Sequence, residues 1–144
     1  GASPYGLLLA LDGSANSWRA VEYLCRSPIR RDQDLTLYHV WPKSELASIP
    51  DGYLPERSND ITMFMDRAAQ SLEKAGFRSG SISIKSALEE PSRAKAIVAQ
   101  ARESDCGTII MGRWGTTESK AFALGRVTHK VSQLCRGQAL WIIP

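Results

Sequence analysis

The sequence predicts an α/β domain built on one open, five-stranded parallel sheet, in the strand order 3-2-1-4-5, with helices on both faces. Short apolar runs of strand length alternate with segments in which apolar residues recur every three or four positions, giving the order βαβαβαβαβ. Parallel strands need crossover connections, and helices in those connections cover both faces of the sheet. At 144 residues, with no internal repeat, low-complexity tract or interdomain linker, the chain suits one domain with a core of its own. That domain is expected to span residues 1–144, with residues 1–4 a flexible, processed or recombinant end.

The elements follow in order. Tyr5 to Leu11 (YGLLLAL) is a strand that ends at Asp12-Gly13-Ser14. Trp18, Val21, Leu24 and Cys25 then recur at helical spacing, with Ser14 or Asn16 able to cap the start. Asp34 to Val40 (DLTLYHV) is the second strand. Trp41 to about Ser58, carrying Pro42, Pro50, Gly52 and Pro55, reads as a long loop of the kind that serves as a lid or partner contact. Ile61, Met65, Ala68, Leu72 and Ala75 mark the next helix, which Gly76 ends. In the third strand Ile82, Ile84 and Leu88 share one face while Ser81, Ser83 and Lys85 take the other, a half-polar pattern that suits an edge. Pro91 stands where a helix would begin, and Ala94, Ile97, Val98 and Ala101 supply its buried stripe. Thr108 to Met111 is the fourth strand, Arg126 to Cys135 the last helix and Ala139 to Ile143 (ALWII) the closing strand.

Composition removes several function classes. No apolar run approaches membrane-spanning length, and Gly-Ala-Ser-Pro-Tyr-Gly has neither the basic nor the long apolar region of a signal peptide. Cys25, Cys106 and Cys135 are odd in number, far apart and free of any C-x2-C pair, which argues against a zinc site or a disulfide framework and fits a reducing compartment. A net charge of +3 is too small to argue for nucleic acid. Its distribution says more, because Arg113, Lys120, Arg126, Lys130 and Arg136 face only one acid, Glu118, between Gly112 and Arg136. That region favours a local anionic ligand.

The same region carries Gly112, Gly115 and Gly125 at a G-x2-G-x9-G spacing, after an apolar strand and before a helix. Glycine lets the backbone approach an anion, and the first turn of a helix offers unpaired N–H groups. In a sheet of order 3-2-1-4-5 the order reverses between the first and fourth strands, and ligands bind beyond the carboxyl ends there. One crevice would then hold Asp12, the strand end at Val40-Trp41, the glycine loop and a helix N-terminus, a set that suits the ribose, base and phosphates of a nucleotide.

LLLALDGSANSWRAVEYL (Leu7 to Leu24), LTLYHVW (Leu35 to Trp41) and TIIMGRWG…LGRVTHKV (Thr108 to Val131) together resemble the universal stress protein family over essentially the whole chain. The resemblance implies the adenine nucleotide alpha hydrolase-like fold, a cytoplasmic homodimer paired through Ala139 to Ile143, and a stress-response or regulatory module. It implies ATP, or AMP or ADP, with magnesium as a companion; no enzymatic turnover is expected, because no positioned base or nucleophile has the company it needs. Carried over by motif, Ala10, Leu11 and Asp12 lie at the ribose or adenine side, and the Val40 backbone reads the adenine edge. Met111, Gly112, Trp114 and Gly115 line the ribose and phosphates, and Gly125, Arg126, Val127 and Thr128 meet the phosphates.

One departure is central. The ATP-binding subset has Ser or Thr after the third glycine, where this chain has Arg126. Arginine brings charge and five donors but far more bulk. Three outcomes are open: a phosphate clamp, a side chain turned to solvent above backbone donors that still bind, or a member that has lost ATP and acts as a dimeric interaction module. Trp114 stacks on a base or packs on the protein itself, Trp141 belongs to the core or a dimer interface, and Gly137 stands where the family often has proline. His39, ending a central strand, suits a structural role, and His129 lies within reach of a phosphate or packs at the surface; neither has metal-site spacing. A slow ATP-hydrolysing enzyme is the remaining alternative, but no G-x4-G-K-(S/T) occurs and Ser14 and Ser17 lack a relay that would activate them.

Overall fold

The computed structural model describes residues 6–43, 56–113 and 125–144. Five strands, β1 (Gly6–Ala10), β2 (Leu35–Trp41), β3 (Ile82–Leu88), β4 (Cys106–Gly112) and β5 (Ala139–Ile143), form one sheet in the order β3-β2-β1-β4-β5. All four pairings are parallel, as the alternating pattern requires. The helices are α1 (Ala15–Arg26), α2 (Glu56–Lys74), α3 (Arg93–Glu103) and α4 (Arg126–Leu134).

Alternation along the central strands builds the two layers. Leu7, Leu9, Leu35, Leu37 and Ile110 pack with Ala20, Val21 and Leu24 of α1 and Ile61, Met65, Ala68 and Leu72 of α2. Leu8, Ala10, Tyr38, Ile109 and Met111 point the other way, against Ala94, Ile97, Val98 and Ala101 of α3 and Val131 of α4. β1 is fully buried, which is why its sequence is an unbroken apolar run. β3 is the edge its half-polar pattern predicts, and its position leaves Ile84 and Leu88 exposed.

Local signals set the ends of the helices. Ser14, not Asn16, caps α1: its side chain accepts the Ser17 N–H at 3.1 Å. Gly76 closes α2 with φ +110°, its N–H donating to Glu73 and that of Phe77 to Leu72 at 3.0 and 3.1 Å. Phe77 and Leu72 meet in the core, which completes a Schellman motif. At α3 the cap is Ser92, whose Oγ accepts the Lys95 N–H at 3.2 Å, so Pro91 lies just outside the helix rather than opening it. α2 already runs from Glu56, so the connection after Trp41 ends earlier than about Ser58; the rest of it, residues 44–55, lies outside the described residues.

Candidate functional site

Where the strand order reverses, between β1 and β4, the chain brings together four segments distant in sequence. The first is the Leu11-Asp12-Gly13-Ser14 turn. Leu11 continues the ladder for one bond, its N–H donating to Tyr38 at 2.9 Å. Asp12 is half-buried, and one carboxylate oxygen accepts the Ser14 N–H at 2.9 Å. That bond fixes the side chain and uses only part of a carboxylate's accepting capacity. Gly13 takes φ +85°, which only glycine adopts without strain, and a Cβ there would meet Ile61 at 2.7 Å.

The second segment is the end of β2. Asp34 and Tyr38 accept from Leu7 and Leu11, whereas Trp41 accepts from Glu89 beyond β3. Main-chain groups alternate sides along a strand, so Val40 turns its N–H and C=O toward β1, past the last β1–β2 bond. A donor and an acceptor side by side on one strand edge can match the edge of a planar heterocycle. The side chains of Val40, Ala10, Leu11 and Met111 are buried in the core, so only their main chains are available to a ligand.

The third and fourth segments close on each other. Arg113 donates its N–H to Ile143 at the end of β5, and its carbonyl accepts the N–H of Gly125, the cap of α4, both at 2.8 Å. The two halves of the glycine motif are therefore hydrogen-bonded neighbours. Trp114 and Gly115 lie outside the described residues. Thr128, buried in the first turn of α4, donates its hydroxyl to the carbonyl of Gly112 at 2.9 Å. Gly112 itself packs on the first turn of α1, where a Cβ would stand 2.9 Å from the carbonyl oxygen of Asn16. Close packing of strand on helix thus requires this glycine whatever the crevice holds.

At the mouth of α4, Gly125 offers no side-chain acceptor to the first-turn N–H groups. Arg126, His129 and Lys130 are exposed on one face of that helix, while Val127 packs inward against the core. The strand ends beside the reversal therefore carry a carboxylate and a strand edge at β1 and β2, and a helix N-terminus with exposed positive charge beyond β4.

The remaining chemistry-bearing residues have structural surroundings. Cys106 is buried, Cys25 and Cys135 are half-buried, and none is in a disulfide. Burial pushes all three thiols above their ordinary pKa, the reverse of what a reactive cysteine needs. Among the described residues no His, Cys, Asp and Glu group could hold a metal ion, and no helix is long and apolar enough to cross a membrane.

Sequence reasoning missed two contacts. One is Asn16 beneath Gly112, for which the only signal is a glycine directly after an apolar strand. The other is the imidazole Nδ1 of His39, 2.7 Å from the carbonyl of Leu11. Nothing local in either strand signals that bond, since it joins residues 28 positions apart.

The fold is a doubly wound α/β domain whose strand order reverses between β1 and β4. A model of the Universal stress protein family matches residues 7–140, and the chain belongs to that family. The universal stress protein YxiE of Bacillus subtilis (strain 168) is 28% identical over 140 residues, covering 89% of this chain and 91% of that protein. Hypothetical protein MJ0577 has a similar fold, with a TM-score of 0.77 at 22% identity over 96% of this chain and 94% of that one. A universal stress protein in complex with cAMP gives 0.68 at 19% identity, covering 97% and 96%. The universal stress protein of Archaeoglobus fulgidus in complex with dAMP gives 0.70 at 16% identity, covering 97% and 98%.

Proposed function

We propose that this domain is a regulatory, stress-response module that binds an adenine nucleotide, ATP by preference, in the crevice between β1 and β4. The observation that carries the reading is the hydrogen bond from Gly125 to Arg113, which sets the N-terminus of α4 directly against the end of β4. Phosphates would lie at that N-terminus, where N–H groups and the helix dipole favour an anion. Asp12 would take the ribose, and the N–H and C=O of Val40 would read the adenine edge. Ala10, Leu11, Met111 and Gly112 would contribute main chain, and Trp114 and Gly115 would complete the wall. The cAMP and dAMP complexes of two structurally similar proteins support an adenine ligand.

The module works by binding rather than by turnover, in the cytoplasm, with magnesium accompanying a triphosphate. It pairs with a second copy through β5, an edge strand whose Leu140 and Trp141 are only partly covered by its own core. The test is direct: denature purified protein, chromatograph the supernatant for released nucleotide, and measure thermal shifts with millimolar ATP and magnesium. Released adenine nucleotide or a clear upward shift supports the reading, and the absence of both overturns it.

One observation favours a second reading, a dimeric interaction module that holds no nucleotide. The N–H of Gly125 and the hydroxyl of Thr128, both expected at the phosphates, already donate to Arg113 and Gly112. The bulk of Arg126 adds to that case. The same two measurements separate the readings.

A further inference from the structure

We infer that His39 is a positioning residue for the nucleotide: it holds the Leu11–Asp12 peptide so that the base-reading edge at Val40 and the carboxylate of Asp12 keep a fixed separation. The inference rests on the crevice being an adenine-nucleotide site.

Leu7 donates to Asp34 and Leu11 to Tyr38, so β2 turns its even-numbered residues toward β1. In a parallel pair the next bond would run from the N–H of Val40 to the carbonyl of Leu11. That carbonyl is taken by the Nδ1 of His39 at 2.7 Å, through a ring that is 5% exposed. The ring stands edge-on against Trp41, with centroids 4.6 Å apart and planes at 87°. Packing therefore fixes the imidazole, and the imidazole fixes the carbonyl.

Two consequences follow. Drawing the Leu11 carbonyl to the ring ends the β1–β2 ladder at Tyr38, two residues before Val40, so the Val40 edge opens on the crevice instead of closing on β1. The Leu11 carbonyl belongs to the peptide whose N–H is that of Asp12, so its orientation also sets the direction in which Asp12 leaves the sheet. The Asp12 carboxylate is then locked by the Ser14 N–H at 2.9 Å. His39 is adjacent in sequence to the base reader and bonded to the residue before the ribose reader. A carbonyl oxygen only accepts, so Nδ1 must carry the proton.

The experiment compares the parent with His39→Phe, which keeps an aromatic ring beside Trp41 but cannot donate, and with His39→Asn, whose amide nitrogen can replace Nδ1. Affinities for ATP and GTP are measured by calorimetry, well below each melting temperature. His39→Phe is expected to weaken ATP binding about tenfold and to narrow the preference for ATP over GTP by a similar factor, the scale of one lost hydrogen-bonded placement. His39→Asn should restore most of both. A purely structural histidine would lower the melting temperature and leave affinity and base preference in the folded variants unchanged, and that result overturns the inference alone. A parent that binds no adenine nucleotide overturns the site reading and the inference with it. Should His39→Phe fail to fold, the ring 15N shifts of the parent decide: a protonated Nδ1 is expected, and a neutral ring protonated only at Nε2 overturns the proposal.

Discussion

A methyl group on Gly112 would lie 2.9 Å from the main-chain carbonyl oxygen of Asn16, an atom that cannot yield without moving the first turn of α1. Gly125, the cap of α4, has φ −63°, which any residue can adopt. Two glycines of one motif thus answer to different physics, the first to helix–strand packing and the second to the helix end.

Replacing each by alanine should separate them. Gly112→Ala is expected to destabilise the fold by about 1–3 kcal/mol through overpacking. Gly125→Ala should cost less than about 1 kcal/mol, the difference between a poor and a moderate cap. Urea denaturation reads both, and equal losses would show that the contact with Asn16 does not restrict Gly112.

Arg126 puts a positive charge in the first turn of α4, at the end of the dipole that repels it. Its side chain is exposed, so Arg126→Ser should stabilise the nucleotide-free protein, by about 0.3–1 kcal/mol at low salt. The same change should weaken ATP more than AMP, because only the longer phosphate chain gains from the extra charge. Thermal melts with titrations of both nucleotides check this, and a variant that binds ATP where the parent does not would reverse the sign assigned to the side chain.

Arg31 joins the ends of two helices. Its guanidinium donates to the carbonyls of Cys25, Ile29 and Ala75 at 3.0, 3.1 and 3.0 Å and lies 4.8 Å from the centre of the Phe77 ring. Arg31→Ala should cost about 2–4 kcal/mol, since charged donors to several carbonyls are lost together with a cation–π contact. Arg31→Lys should recover little of it, because one ammonium cannot reproduce a planar fork. Denaturation midpoints of the two variants test the claim, and full recovery by lysine would refute it.

The three thiols give the fold an alkaline weakness. Burial raises each folded-state pKa, so above the ordinary thiol range the unfolded chain releases protons that the folded chain keeps. The folded state then binds more protons, and stability falls as pH rises through that range. Cys106, the most deeply buried, should contribute most. Melting temperatures between neutral and alkaline pH should fall less steeply for Cys106→Ala than for the parent, and parallel profiles would count against this account.

Much of the architecture was legible because burial leaves a mark on sequence. The unbroken run in β1, the half-polar pattern of β3 and the stripe of α2 ending at Gly76 each report a local environment: β1 is buried, β3 lies at the sheet edge and α2 packs its stripe into the core. Errors fell where several local signals compete. Asn16 and Ser14 are both good caps, and the choice went to the residue whose oxygen reaches Ser17 while the other was buried beneath β4. Pro91 looked like a first helical residue, and Ser92, with its own hydroxyl, took the cap one step later.

The order of elements, the reversal of strand order between the strands that end near Asp12 and Gly112, and membership of the family could all be read from the residues alone. Periodicity and glycine spacing are properties of neighbouring residues, so they survive in one dimension. What the motif residues touch was settled by the folded chain: Gly112 against Asn16, Thr128 on the Gly112 carbonyl, Gly125 on Arg113 and His39 on Leu11. Those contacts join distant segments through single hydrogen bonds and close packing, and their partners are chosen by the folded backbone rather than by the residues beside them.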